Sequence, residues 1–520
     1  VEVQIMTTSE PDVIIAGAGL GGLICGALLA KMEGRKVLVL ERNPDIGGKI
    51  MSYGYLHDPD LTEEDYRKSL AVCGHSKIVY SDPDFPTIVE KHGLFREWIV
   101  DTGWHQMSVG PRNRFAQLAT ALGKRIHISP TVGFLYYQDG KFEQLSEIAA
   151  GWPAESQQER RRVAAYTSRI SEEQSHQYDH VDYQSFLESI TTDRNVIDYY
   201  ALMGCYSAGL NDASTVSAGE IVRVNNMNNM AGTHFQRGGG GGVVTGGFRN
   251  VATTFAEVIR ENGGEIRTGQ RVREILVEGN SAVGVRVKPR EDEEVTLRAP
   301  VIINNIPARY LNGILPDRWW PLDFQQRIKT QFPLAGLLGF IGLREPVETG
   351  DGRAGDFSIR RLPGTDDLGV IGGASIFSFE QTSEADPSRA PQGKCLLNTW
   401  ISLYPESPFG PAEITDEALM QNLIERIYAF FRRQYPQWDD VYEWGYFTQA
   451  RDMYGLSISP GQLGERRLPV KHPTLHNLFH TGDTTAQWGI ATDGVGHGAA
   501  LTVSAVTGKD YTQLLTPWGR

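Results

Sequence analysis

Apolar residues first gather in Val13-Ile14-Ile15-Ala16, a short unbroken run of the kind that forms a buried parallel strand. The run leads into Gly17-Ala18-Gly19-Leu20-Gly21-Gly22, and an alanine- and leucine-rich segment from Leu23 to about Lys31 predicts a helix that Gly34 stops. A second apolar run, Lys36-Val37-Leu38-Val39-Leu40, predicts another strand and ends in Glu41. Strand, helix and strand within about 30 residues make a βαβ unit.

The pattern then changes. From Met51 to about Ile99 the chain is rich in Asp, Pro and Tyr without a period, and it reads as an excursion rather than core. Ile99-Val100-Asp101-Thr102-Gly103-Trp104-His105 predicts a short strand. Between about Ala149 and Gly232 Leu, Ile, Tyr and Phe recur at helical spacing among charges, most clearly from Tyr183 to Leu202. Asn225 to Met230 reads as a surface turn, and Arg237-Gly238-Gly239-Gly240-Gly241-Gly242 as either a hinge or a loop against a ligand. A helix over 251–262, strands over 271–277 and 282–287 with a polar turn between them, and a returning strand over 299–305 follow. Strands over 334–343 and 395–403 and a helix over 415–434 are predicted next. Near the end an apolar strand closes in Gly482-Asp483, and Asp493-Gly494-Val495-Gly496-His497-Gly498 opens a small-residue helix to about Thr507.

With 520 residues the chain exceeds one ordinary core, so two or more domains are expected. The net charge of −13 counts against nucleic acid as a partner, and the densest basic run, Arg160-Arg161-Arg162 after Glu159, reads as a solvated helix face. Cys25, Cys73, Cys205 and Cys395 are scattered, which suggests neither a disulfide framework nor a zinc site and fits a reducing cytoplasm. His472, His476 and His480 have helix-face spacing, but Pro473 breaks such a helix, so no metal site is expected. The polar first ten residues lack a signal core, and no run of eighteen apolar residues exists to span a membrane. Peripheral attachment through an amphipathic surface stays open.

The 57 glycines cluster where chemistry would ask for close backbone approach. Gly17 suits the tight turn off the first strand, Gly19 the approach of a pyrophosphate, and Gly22 close packing of helix on strand. The helix that follows these glycines has free N–H groups at its start that can face phosphate. Glu41 suits the ribose hydroxyls. Gly47-Gly48-Lys49, shortly after Arg42, adds a glycine pair and a cation that suit a backbone wrapped along a diphosphate and ring.

The segment from Gly17 to Lys49 resembles the start of the amine-oxidase and phytoene-desaturase superfamily of FAD enzymes. The resemblance continues through Asp101-Thr102-Gly103-Trp104-His105, through Gly246-Gly247 to Gly284-Val285, and through Gly482-Asp483 and Asp493 to Ala500. It implies a two-domain, glutathione-reductase-like α/β fold with an α+β substrate domain. Nucleotide-binding parts would fall at 11–110, 237–305 and 476–520, a mostly helical substrate part at 111–236 and the rest of the substrate domain at 306–475. It implies FAD contacts at Gly17, Gly19, Leu20, Gly21, Gly22, Glu41, Arg42, Gly47, Gly48, Lys49, the backbone of Val272, Gly482, Asp483, Asp493, Gly494 and Val495. The cysteine-bearing Ser-Gly-Gly-Cys segment of the covalent monoamine oxidases is missing, so FAD is expected to be non-covalent. His105 and His497 are the candidates for acid or base, with a structural role open for His105, and Trp488 is a candidate neighbour of the ring. The implied activity is flavin-dependent desaturation, saturation or isomerisation of carbon–carbon bonds in a small, apolar substrate. An amine or amino-acid oxidase, a non-redox isomerase or hydratase, and a lipid escort of the same fold are the alternatives. The electron partner is not legible.

Overall fold

The computed structural model describes residues 10–72, 76–103, 107, 109–130, 136–138, 141–230, 242–290, 293–348, 356–360, 376–403, 417–453 and 455–516. A mixed α/β architecture is built around two sheets. The first holds five parallel strands in the order Glu265–Arg267, Val37–Leu40, Val13–Ala16, Val301–Asn304 and Leu478–His480. Its two leading strands are the four-residue apolar runs of the sequence, buried at every position.

Alternation along a strand explains why both faces are apolar. Val13 and Ile15 pack into a core with the helices Leu20–Glu33, Arg249–Glu261 and Ala491–Thr507. Ile14 and Ala16 face the opposite core, shared with Val272, Ile275, Val285 and Val287 of an antiparallel three-stranded meander. The meander comprises Gln270–Glu278, Ser281–Pro289 and Val295–Arg298.

The second sheet has six antiparallel strands in the order Asp356–Arg360, Ile376–Gln381, Cys395–Ser402, Gly336–Leu343, Tyr442–Ala450 and Lys77–Asp82. Helix Glu417–Gln434 packs on one face through Ile424, Ile427 and Phe431. Aromatic residues, among them Trp98, Trp400, Trp444 and Tyr446, fill the other face together with helices of the 154–230 region.

Two expectations are corrected. The stretch from Met51 to Ile99 is not an excursion. It supplies strand Ser52–Gly54, helices Glu63–Val72 and Phe85–Lys91, and the edge strand Lys77–Asp82 of the six-stranded sheet, with Tyr53, Tyr66 and Phe85 buried. Several short elements feed one core there, so their apolar residues carry no common period. Asn225 to Met230 is not a turn but the last part of helix Ala218–Met230, and Met227 is buried against Val109. Four asparagines mask the helical period. The run Arg237 to Gly241 lies outside the described residues. Among the described residues no helix is long and apolar enough to cross a membrane.

Candidate functional site

A cavity of about 440 Å³ opens at the carboxyl ends of the parallel strands, the place where ligands bind in open α/β sheets. The turn after each of four strands reaches it: Gly17 to Gly21, Glu41 to Asn43, Asn305 to Pro307, and Gly482 with Asp483. Gly47, Gly48, Lys49 and Val272 also line it, as does the opening of the last helix through Ala491, Thr492 and Val495.

The glycine loop has room for nothing else. Gly17 has φ +106°, which disfavours any side chain, and a Cβ on Gly22 would lie 2.3 Å from the Gly17 carbonyl oxygen. A Cβ on Gly21 would lie 2.8 Å from the Gly482 nitrogen, so the first and last motifs touch across 461 positions of the chain (482 − 21). Gly47 donates its N–H to the Ala18 carbonyl at 2.8 Å, bringing the glycine pair alongside the first turn. Asn305 Nδ2 closes the loop by donating to the Gly17 carbonyl at 3.1 Å.

Glu41 is buried, and each of its oxygens accepts one backbone N–H: Ala18 at 2.8 Å and Asn43 at 2.9 Å. Burial pushes its carboxyl up from the ordinary range, against the pull of those donors. Four charges meet deeper in. Lys49 Nζ donates to Asp452 Oδ1 and to Asp483 Oδ2, both at 2.5 Å, and Arg309 binds the other oxygen of Asp452. Burial alone would raise Asp483, but Lys49, Arg309 and Arg467 outweigh it and hold it below the usual carboxylate range. Burial lowers the Lys49 ammonium.

The helix Ala491–Thr507 begins at Ala491 with φ +48°, a left-handed conformation uncommon for a residue with a side chain. Asp493, in its first turn, points behind the lining. Its Oδ1 accepts the Arg114 N–H at 2.9 Å, and the Arg114 guanidinium lies 3.5 Å from Oδ2. Burial raises this carboxyl. Gly22 and Gly494 also lie one layer back; a Cβ on Gly494 would sit 2.5 Å from the Gly489 carbonyl oxygen.

His497 is absent from the described lining. It is buried with Nδ1 accepting the Trp488 N–H at 3.2 Å, and burial, with Arg114 and Arg223 nearby, holds it well below the ordinary imidazole range. Trp488 turns from the cavity too: its ring packs on His176 and His497, and its Nε1 donates to Asp179 at 3.2 Å. His105 lies outside the described residues. Of the three closing histidines, His472 and His480 do approach, with rings 5.5 Å apart, because residue 471 pairs antiparallel with residue 479 rather than continuing a helix. Their neighbourhood holds no third ligand, and among the described residues no group of three His, Cys, Asp or Glu side chains could hold a metal ion.

Sequence reasoning missed Asn305, Arg309, Asp452, Met453 and Phe248. Asn305 and Arg309 follow a parallel strand as Glu41 does, and position after a strand end was the usable signal. Asp452 follows a strand of the other sheet, and nothing nearby in the chain marks it.

The described lining carries five cations (Arg42, Lys49, Arg271, Arg273, Arg309) against three carboxylates (Glu41, Asp452, Asp483). This excess suits a diphosphate. With the contact between the two glycine motifs, it fits a dinucleotide spanning the cavity.

A family profile described as flavin-containing amine oxidoreductase matches residues 91–503, and one for NAD(P)-binding Rossmann-like domains matches residues 15–70. The chain belongs to the flavin-containing amine oxidoreductase family, and its cofactor is FAD. Among curated proteins it is similar to a zebrafish (Danio rerio) protein named inactive all-trans-retinol 13,14-reductase, 22% identical over 308 residues. That match covers 56% of this chain and 47% of the relative, so the chain spans about half the length of the curated relative it matches. Among solved structures, an oxidoreductase from Methanosarcina mazei shares the fold at 18% identity, covering 96% of this chain and 100% of that one, with a TM-score of 0.67. Cyclohexylamine oxidase from Brevibacterium oxydans does so at 16% identity, 96% and 99% coverage and a TM-score of 0.61. RAB GDI from Plasmodium falciparum does so at 14% identity, 96% and 99% coverage and a TM-score of 0.55.

Proposed function

We propose that this protein desaturates, saturates or isomerises carbon–carbon bonds of a small apolar substrate, with FAD supplying hydride acceptance or donation. In this reading Gly17, Gly19, Leu20 and Gly21 cradle the diphosphate, Glu41 takes the ribose hydroxyls, and Gly47, Gly48, Lys49, Gly482, Asp483 and Val495 follow the rest of the cofactor. Arg42 and the Val272 backbone serve the adenine side. Gly22, Asp493 and Gly494 act from behind, by fixing the two helix starts. FAD is held without a covalent bond.

The observation that carries the substrate class is the pairing of every carboxylate in the described lining. Glu41 is bonded to backbone N–H groups, and Asp452 and Asp483 to Lys49 and Arg309. Among the described lining residues not given to FAD, the one carboxylate, Asp452, is paired, so an ammonium-bearing substrate would meet no free carboxylate there, whereas Met107, Phe248 and Met453 offer apolar contact. The similarity to a protein named inactive all-trans-retinol 13,14-reductase agrees with an apolar substrate class and does not bear on turnover. The runner-up is an amine oxidase, favoured by the fold shared with cyclohexylamine oxidase.

The test is anaerobic reduction of the purified holoprotein followed by reoxidation. Reoxidation faster with a quinone than with oxygen, and no bleaching by primary amines, is expected. Bleaching by amines with rapid, peroxide-forming reoxidation in air would replace this reading with the oxidase.

A further inference from the structure

Lys49, Arg309 and Asp483 all follow strands of the parallel sheet, whereas Asp452 follows strand Tyr442–Ala450 of the other sheet. Its side chain is 2% exposed. Oδ1 accepts from Lys49 at 2.5 Å and from the Gly455 N–H at 3.1 Å, and Oδ2 accepts from Arg309. All four charged side chains line the cavity, close to Gly103, Met453 and the dinucleotide glycines. Two cations and two carboxylates cancel.

We infer that Asp452 is a positioning residue by which the substrate sheet sets the electrostatic potential of the FAD site. Its carboxylate aims Lys49 and Arg309 into one cluster and removes one unit of positive charge from it. A reduced flavin carries negative charge, so the cluster's net charge biases the oxidised–reduced equilibrium. For a flavin ring about 10 Å from Asp452, removing one negative charge at an effective dielectric of about 20 would favour the reduced form by about tenfold. The inference rests on FAD occupying this cavity and not on which substrate is turned over.

Asp452→Asn removes the charge and keeps an amide oxygen that accepts from Gly455 and Lys49, while its NH₂ opposes Arg309. The brace on Arg309 is thus lost with the charge, and D452E tests the brace with the charge kept. At a fixed dye potential the reduced-to-oxidised flavin ratio is expected to rise about tenfold in D452N and to return to wild type in D452E. FAD binding to the D452N apoprotein is expected to be retained or tightened, with a steeper salt dependence. Arg309→Gln, which removes a positive charge, is expected to move the ratio the opposite way, and it supplies the test if D452N does not fold. An unchanged ratio in folded D452N, loss of FAD binding by folded D452N, or a shift of the same sign in D452N and R309Q would overturn the inference. Failure of the wild-type protein to bind FAD would refute the cofactor assignment instead.

Discussion

Backbone clearance decides most at the scale of single residues. Gly22 faces backbone: a Cβ 2.3 Å from the Gly17 carbonyl oxygen cannot be accommodated by turning a side chain aside. Gly22→Ala is therefore expected to push the first helix off the strand and weaken FAD binding by at least about tenfold, a loss of about 1.4 kcal/mol. Gly461→Ala, where nothing lies within 4 Å, is the matched control and leaves binding unchanged. FAD titration into the apoproteins checks both. Glu41 makes a second case. Its two oxygens receive two N–H groups, and a glutamine can receive only one while its own NH₂ opposes the other. Glu41→Gln is expected to cost about 1–3 kcal/mol in the stability of the loop, with weaker FAD binding by the same titration.

Elements are tied by buried charge that no local pattern announces. Arg389, fully buried, pairs with Asp101 at 2.7 Å and Asp386 at 3.2 Å and donates to the Val244 carbonyl at 3.0 Å. It thereby joins strand Ile99–Asp101 to the Gly246-Gly247 turn, whose next residue, Phe248, lines the cavity. Arg389→Met strands two buried carboxylates and is expected to destabilise the fold by about 3–5 kcal/mol in denaturant unfolding. His472 braces the return into the last strand, its Nδ1 accepting the Thr474 and Leu475 N–H groups at 3.2 and 3.1 Å. Burial pushes its imidazole down to about 4. Because the folded value lies below the unfolded one near 6.5, its contribution is complete above pH 6.5 and is lost as pH falls toward 4, about 3 kcal/mol in all. His472→Asn, which keeps an acceptor near the same place, is expected to flatten that part of the stability–pH curve.

The whole molecule was legible where local rules act and obscure where distant segments meet. The strand–glycine–helix unit and the closing Gly-Asp motif were readable because turn geometry and strand burial constrain consecutive residues. Lys77–Asp82 was not, since an edge strand of a sheet completed more than 300 residues later has no local partner to betray it. His497 and Trp488 turn from the cavity because the two rings pack on one another and Trp488 on His176, a contact that their neighbours in the chain do not announce. Asp452 needed both sheets to be seen. This arrangement has a consequence for stability. The cavity wall is assembled from strand ends of the first sheet, the meander and the end of a strand in the second, so FAD bound there would bridge the two sheets. A ligand that binds only the folded chain stabilises it by about 2.7 kcal/mol at 100 times its dissociation constant. For a chain of this size the melting temperature should therefore rise by a few degrees and climb further with FAD concentration. Adding FAD to the apoprotein in a thermal melt checks this, and the rise should be smaller in Gly22→Ala, whose first strand and helix can no longer close on the ligand. A melting temperature insensitive to FAD would mean that the cavity is not where the cofactor binds.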